Sequence, residues 1–201
     1  MNMPLMIDLT NKKVVIVGGG AVASRRAQVL SQYIESMTVV SPNITKDLQK
    51  LVEEGIVIWI EKSFEPNDIA DAHFIIAATN DSKVNEVVKQ AVPKHALFNH
   101  AGNALDGNVV FPSTFRRDRL TISVSSDGAS PKLTKQIMLE LEKLYPLSYS
   151  SYVHFLYVCR KKIKVLDIPQ SEKQRLLSKI VSKEYLNHDK QIQFLTEINE
   201  N

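Results

Sequence analysis

The chain has 201 residues, of which 44% are apolar and 23% charged, as expected for a soluble globular protein of one or two domains. No apolar run approaches the roughly 18 residues that span a bilayer, and the first residues lack the regions of a signal peptide, so we expect a cytoplasmic protein with no membrane contact. The formal net charge of +3 is too small to indicate nucleic-acid binding. The single cysteine, Cys159, excludes an intrachain disulfide and a thiolate metal cluster, and no metal site is predicted.

Short apolar segments and helical patterns alternate over the first half of the chain. Strands are predicted at residues 13–18, 37–40, 56–60, 73–79 and 96–99, because these segments are short, rich in β-formers and bounded by turn residues. Residues 21–33 and 81–92 have helical spacing, and in the second segment Val84, Val87, Val88 and Ala91 share one face. This alternation predicts an α/β fold, a Rossmann-type parallel sheet with helices on both faces.

The pattern changes after residue 107. Two β-like stretches flank the charged sequence RRDR at 116–119, which predicts a hairpin or flap, and a helix then begins with Ser130 as N-cap and Pro131 at its first position. From residue 145 the chain is helical in character with a break near Pro169, and residues 169–186 read as one amphipathic helix. We therefore expect a Rossmann domain at 1–107, a flap segment at 108–145, and a small C-terminal helical domain at 146–201; the motifs below bear on cofactor binding in the first of these and on dimerisation through the second.

The glycine-rich turn at residues 18–23 indicates a dinucleotide site. Gly18, Gly20 and Ala23 match G-x-G-x-x-[GA], and the motif follows the first predicted strand and opens the first helix. Such glycines allow backbone N–H groups to approach a pyrophosphate at the positive end of a helix. The predicted cofactor-binding residues lie in this turn and after the second and fourth strands: Gly18, Gly19, Gly20, Ala21, Val22, Ser41, Pro42, Thr79 and Asn80.

Some features of the predicted site leave alternatives open. Ser41 stands where an acidic residue commonly binds the ribose hydroxyls, so the residues alone do not decide between NAD and NADP. Asn80 and Asp81 can equally be helix caps. Arg25 and Arg26 can bind phosphate or an acidic substrate, or can be helix-surface charges.

Three motifs together resemble the precorrin-2 dehydrogenase family of siroheme biosynthesis. They are G-G-G-x-V-A-x-R-R at 18–26, F-P-S with basic residues after it at 111–113, and S-x-x-G-x-S-P at 125–131. The resemblance extends roughly from Met3 to Leu144. It implies NAD-dependent oxidation of the tetrapyrrole precorrin-2 to sirohydrochlorin by a homodimer whose subunits meet through the segment after the Rossmann domain. Some members of the family also insert Fe²⁺.

The chain departs from this family at one position. Members carry N-x-x-D at the end of the fifth strand, and the aspartate assigned an essential role there corresponds to Gly102. The nearest candidates for proton transfer are His100, whose imidazole suits general-base work, and Asp106, while Asn103 can orient substrate. Ser126 matches a serine that lines the active site in relatives, or it is a turn serine.

The resemblance also suggests a role for the basic residues. A substrate with many carboxylates fits guanidinium forks and ammonium groups, so Arg116, Arg117, Arg119, Lys132 and Lys135 become candidate substrate-binding residues, although a solvated basic face would look the same. Two other functions stay open. One is a bifunctional enzyme that also inserts Fe²⁺, and the other is a non-catalytic, NAD-sensing dimeric module.

Overall fold

The computed structural model describes residues 2–103 and 106–199. It divides into two compact units, Met1–Phe111 and Pro112–Asn201. The division into three domains, with limits at 107 and 145, stays a prediction.

The first unit is built on a five-stranded parallel sheet in the order β3-β2-β1-β4-β5. Its strands are β1 (Val14–Val17), β2 (Met37–Val40), β3 (Val57–Ile60), β4 (Phe74–Ala77) and β5 (Leu97–His100). Every residue of the central strands β1 and β4 is buried, because helices cover both faces of the sheet. All five strands and the Rossmann-type α/β fold are therefore as predicted.

The helices of the first unit lie on opposite faces of this sheet. They are α1 (Ala21–Leu30), α2 (Lys46–Glu53) and α3 (Ser82–Ala91), with a 3₁₀ helix at Pro66–Ile69. Ala23, Ala27 and Leu48 join one buried cluster with the sheet, whereas Val88 joins another. The predicted face of α3 is wrong at Val87, which is 45% exposed. Asn85 is buried instead, because its side-chain amide donates a hydrogen bond to the carbonyl of Thr79.

The second unit begins with an antiparallel hairpin, β6 (Ser113–Arg117) and β7 (Leu120–Val124). The hairpin was predicted, but RRDR is not wholly its turn. Arg116 and Arg117 belong to β6, where they pair with Thr121 and Leu120, and only residues 118 and 119 form the turn. The turn is this short because Asp118 adopts a left-handed conformation (φ +53°), which Asp tolerates better than most residues.

Helices form the rest of the second unit. They are α4 (Pro131–Leu144), α5 (Tyr149–Val165), α6 (Gln170–Lys179) and α7 (His188–Asn199), with a 3₁₀ helix at Lys183–Leu186. The predicted cap of α4 is present, since Ser130 Oγ accepts from the N–H of Leu133. The single helix predicted over 169–186 is wrong: α6 ends at Lys179, and Ser182 caps the separate 3₁₀ turn. No helix within the described residues is long and apolar enough to cross a membrane.

Candidate functional site

The first unit contains a cleft of about 830 Å³ at the carboxyl ends of its central strands. In parallel sheets ligands bind at this edge, where the strand order reverses. The structure brings all nine predicted cofactor-binding residues to the cleft wall: Gly18, Gly19, Gly20, Ala21, Val22, Ser41, Pro42, Thr79 and Asn80. The sequence reasoning missed further lining residues, which the loops after β2, β3 and β4 and the first turn of α3 contribute: Asn43, Ile44, Thr45, Ser63, Phe64, Asp81 and Val84.

The three glycines of the turn differ in how closely the protein backbone packs against them. A Cβ on Gly18 would lie 2.5 Å from the carbonyl oxygen of Ala78, and the residue has φ +121°. A Cβ on Gly19 would lie 1.9 Å from the carbonyl oxygen of Asn43. Both glycines are therefore demanded by the packing of the protein backbone itself.

Gly20 has no such constraint. A Cβ built there meets no atom of residues 2–103 or 106–199 within 4 Å, and the φ of −85° at Gly20 is one that any residue can adopt. Gly20 is also the N-cap of α1, and no side chain of the described residues accepts a hydrogen bond at this end of the helix, so the first N–H groups of α1 lie at the cleft without a side-chain cap. This open, uncapped helix N-terminus fits a pyrophosphate, which offers the anionic acceptors that such N–H groups favour.

The ends of β2 and β4 shape the rest of the cleft. The hydroxyl of Ser41, which is 9% exposed, donates to the carbonyl of Asn43 at 2.8 Å. Thr79 Oγ1 lies 2.8 Å from Asn85 Oδ1, which ties the loop after β4 to α3. Among the described residues that line the cleft, Asp81 is the one with a charged side chain, and this carboxylate accepts hydrogen bonds from the first turn of α3.

The candidate proton-transfer residues form one hydrogen-bonded network after β5. His100 Nδ1 accepts from the backbone N–H of Asn103 at 2.9 Å. The side-chain amide of Asn103 donates to Asp106 Oδ2 at 2.8 Å, and Lys89 Nζ contacts Asp106 Oδ1 at 2.6 Å. The hydrogen bond from Lys89 lowers the pKa of Asp106, so this carboxylate is a weak base. A neutral His100 in this arrangement carries its proton on Nε2, since Nδ1 is the acceptor.

Gly102 and Asn99 lie within two residues of His100 in the sequence. A Cβ on Gly102 would make only an ordinary contact of 3.4 Å with His100 Cε1, so packing does not force a glycine there. Asn99 is 3% exposed, and its Nδ2 donates to the carbonyl of Val109, whereas its Oδ1 has no hydrogen-bond partner among the described residues. The sequence reasoning did not single out Asn99 as a site residue, although a polar residue inside an apolar strand is itself a signal.

The basic candidates differ in how their side chains are used. Arg117 is buried, with Nε donating to the carbonyl of Tyr145 at 2.8 Å. Arg116 Nε donates to the carbonyl of Asp118, while Lys132 and Lys135 are exposed on α4. In the first unit, Arg26 is half-buried over the ring of Phe111 at 4.2 Å, and burial lowers its pKa.

Ser126 lies in the loop before α4, where its hydroxyl is engaged by the protein. Its Oγ accepts from the N–H of Ser130 at 3.1 Å and lies 3.2 Å from Thr134 Oγ1. This arrangement matches the alternative of a turn serine, and its catalytic role stays a prediction. Within residues 2–103 and 106–199, no group of three or more His, Cys, Asp or Glu side chains is placed to hold a metal ion.

Comparison with known proteins agrees with this architecture. Residues 5–113 match the family model described as putative NAD(P)-binding, and residues 149–194 match the SirC C-terminal domain. The chain is 38% identical to the precorrin-2 dehydrogenase of Priestia megaterium over 96% of both chains. It is also 38% identical to that of Bacillus subtilis (strain 168), over 80% of this chain and 99% of the relative.

More distant and structural relatives extend the comparison. The siroheme synthase of Actinobacillus pleuropneumoniae is 33% identical over 86% of this chain, which spans only 36% of that longer protein. The solved structure of SirC, a precorrin-2 dehydrogenase, superimposes with a TM-score of 0.88 at 36% identity over 100% of both chains. Identity of this level over essentially the full length, together with the shared fold, shows that the chain belongs to the precorrin-2 dehydrogenase family.

Proposed function

We propose that this protein oxidises precorrin-2 to sirohydrochlorin with NAD⁺ as the hydride acceptor, in siroheme biosynthesis. The observation that carries the proposal is 38% identity to a precorrin-2 dehydrogenase over 96% of both chains. The cleft supports it, because an uncapped helix N-terminus beside an open glycine suits a dinucleotide. In the reaction, one hydride leaves the tetrapyrrole for the cofactor and one proton is released.

The residues of the cleft would hold the cofactor. When bound, NAD⁺ supplies the hydride acceptor, which is chemistry that protein side chains lack. Backbone N–H groups at Gly20 and the start of α1 would bind the pyrophosphate, and Ser41 would accept from a ribose hydroxyl. We propose NAD rather than NADP, because no Lys or Arg lies among the described lining residues to bind a 2′-phosphate.

Proton release would depend on the network after β5. We propose His100 as the group that exchanges the proton, since the nearby Asp106 is already paired with Lys89. To accept a proton, His100 must use Nδ1 and give up the hydrogen bond from Asn103. Exchanging His100 for Ala should lower kcat tenfold or more, on the order of the contribution of a general acid or base. Unchanged kinetics in His100→Ala would remove this residue from the mechanism.

We further propose that the protein is a cytoplasmic homodimer joined through its second unit. Leu144 and Leu147 are 69% and 77% exposed in the single chain, at and just after the end of α4, so a partner chain seated there would remove two large apolar side chains from water. Light scattering after size-exclusion chromatography should give a mass near twice that of the chain. A monomer at micromolar concentration would reject the dimer and leave the activity to be explained within one chain.

An anaerobic assay with purified protein, precorrin-2 and NAD⁺ tests the reaction directly. We expect NADH to form together with the sirohydrochlorin spectrum. Adding Fe²⁺ or Co²⁺ afterwards distinguishes a dehydrogenase alone, whose product is unchanged, from a bifunctional enzyme that makes the metallated product. Cofactor binding without any NADH would reject the dehydrogenase and favour the NAD-sensing module.

A further inference from the structure

The three arginines of the β6–β7 hairpin differ in what remains available on their guanidinium groups. Arg116 and Arg117 both donate to backbone carbonyls of the second unit, through Nε in each case. Arg119, the last residue of the turn, has neither a hydrogen bond nor an ion pair to any of the described residues. Its N–H donors are therefore the ones that an external acceptor can use.

Arg119 is nevertheless held in place. Its Cζ lies 3.7 Å from the centre of the Tyr157 ring, the distance of a cation stacked on an aromatic face. Tyr157 is half-buried on α5, so the ring is a fixed platform. A guanidinium stacked through its face keeps its N–H edges free, and these edges match the geometry of a carboxylate.

A second cation lies at the same ring. Lys161 Nζ is 4.8 Å from the Tyr157 ring centre, and Tyr157 and Lys161 are four residues apart on one face of α5. A hydrogen bond with Lys161, followed by the charges of Arg119 and Lys161, lowers the pKa of Tyr157. The adjacent carboxylate of Asp118 acts on the pKa of Tyr157 in the opposite direction, as the smallest of these effects, and lies 3.8 Å from His154 Nδ1. Arg119 and Lys161 thus concentrate positive charge around one hydroxyl, without an ion pair to a described carboxylate.

We propose that Arg119, Tyr157 and Lys161 form a carboxylate-binding site for the tetrapyrrole. This inference rests on the proposed function, because precorrin-2 and sirohydrochlorin carry many carboxylates. Arg119 offers a bidentate fork, and Lys161 and the Tyr157 hydroxyl offer further donors beside it. Tyr157 and Lys161 belong to the helical part of the second unit, so the site gives that part of the chain a role in substrate selection.

The first test compares kinetic constants in single variants. Arg119→Gln and Lys161→Gln should each raise KM for precorrin-2 about tenfold or more, the size expected for losing a charge-assisted hydrogen bond, while the Kd for NAD⁺ stays unchanged. Arg119→Lys should recover only part of the loss, since an ammonium cannot form the fork. Arg175→Gln is the matched control, because that arginine is already paired with Glu172 at 2.7 Å, and its KM should equal that of the wild type.

A binding measurement separates this site from the proposed reaction. Sirohydrochlorin should bind the wild type in an Arg119-dependent and salt-sensitive manner, whereas its methyl ester, which lacks the carboxylates, should bind at least tenfold more weakly. Two results would each overturn the site and leave the proposed reaction standing. One is equal affinity of the protein for sirohydrochlorin and its methyl ester. The other is an unchanged KM for precorrin-2 in Arg119→Gln, when that variant keeps its affinity for NAD⁺ and its circular dichroism spectrum. Arg119-dependent binding without any NADH formation would support the site and refute the reaction.

Discussion

The variant Gly20→Ala should weaken cofactor binding while leaving the free energy of unfolding almost unchanged. A methyl group at this position meets no atom of the described part of the chain within 4 Å, and the φ of −85° suits alanine. Replacing a glycine in such a conformation stabilises a protein by about 0.4–1 kcal/mol through the unfolded chain, but alanine is a poorer N-cap than glycine by a similar amount. We therefore expect the free energy of unfolding to change by less than about 1 kcal/mol.

Cofactor affinity should respond differently. The new methyl group would stand where the backbone at the start of α1 is open to the cleft. Losing one charge-assisted hydrogen bond to the pyrophosphate costs about 1.5–3 kcal/mol, which corresponds to an increase in Kd of about tenfold to a hundredfold. Calorimetric titration of NAD⁺ measures this directly, beside urea unfolding of the same variant.

Gly19→Ala is the contrasting variant. Its Cβ would lie 1.9 Å from the backbone oxygen of Asn43, so the chain must shift, and we expect a loss of stability of about 1–3 kcal/mol. If Gly20→Ala binds NAD⁺ like the wild type, the cofactor does not approach the backbone at Gly20, and the assignment of this helix N-terminus to the pyrophosphate is wrong.

Three further predictions concern other parts of the chain. Arg117→Ala removes two hydrogen bonds from a buried guanidinium to backbone carbonyls, so urea unfolding should show a loss of about 2–4 kcal/mol; an unchanged midpoint would contradict this structural role. Lys89→Met removes the group that lowers the pKa of Asp106, so its loss of unfolding free energy should be present at pH 7 and fade as the pH falls through the lowered pKa; in urea unfolding at a series of pH values, a loss that does not diminish in acid would exclude the pairing as its cause. Burial raises the pKa of Cys159 to about 12, so a thiol reagent at pH 8 should label it only after unfolding, and rapid labelling of the native protein would show that the α5 core opens.

The elements that the sequence predicted well are those with local causes. The five strands follow from short apolar runs that must be buried on both faces, and the start of α4 follows from Ser130 and Pro131. The glycine turn is equally local, since its spacing places a strand, a tight turn and a helix in one order. Even the second and fourth strand ends could be assigned to one cleft, because parallel strands end at the same edge of the sheet.

The elements that the sequence predicted poorly depend on contacts between distant residues. Val87 fits the apolar spacing of α3 but is exposed, since Asn85 takes the inner position through its hydrogen bonds with Thr79. The sequence also could not tell which arginines of the hairpin bind backbone carbonyls and which one keeps its donors available, because all three are the same residue type.

What the sequence determined by itself is the class of fold and the strand ends that form the cleft proposed for the cofactor, because hydrophobic periodicity and turn geometry act over a few residues. What only the tertiary structure decided is the use of each polar group. Arg117 is bound to the carbonyl of a residue 28 positions away, whereas Arg119 stacks on Tyr157 with its donors free of the described residues. A polar side chain takes the partner that folding brings within about 3 Å, and sequence spacing does not encode that distance.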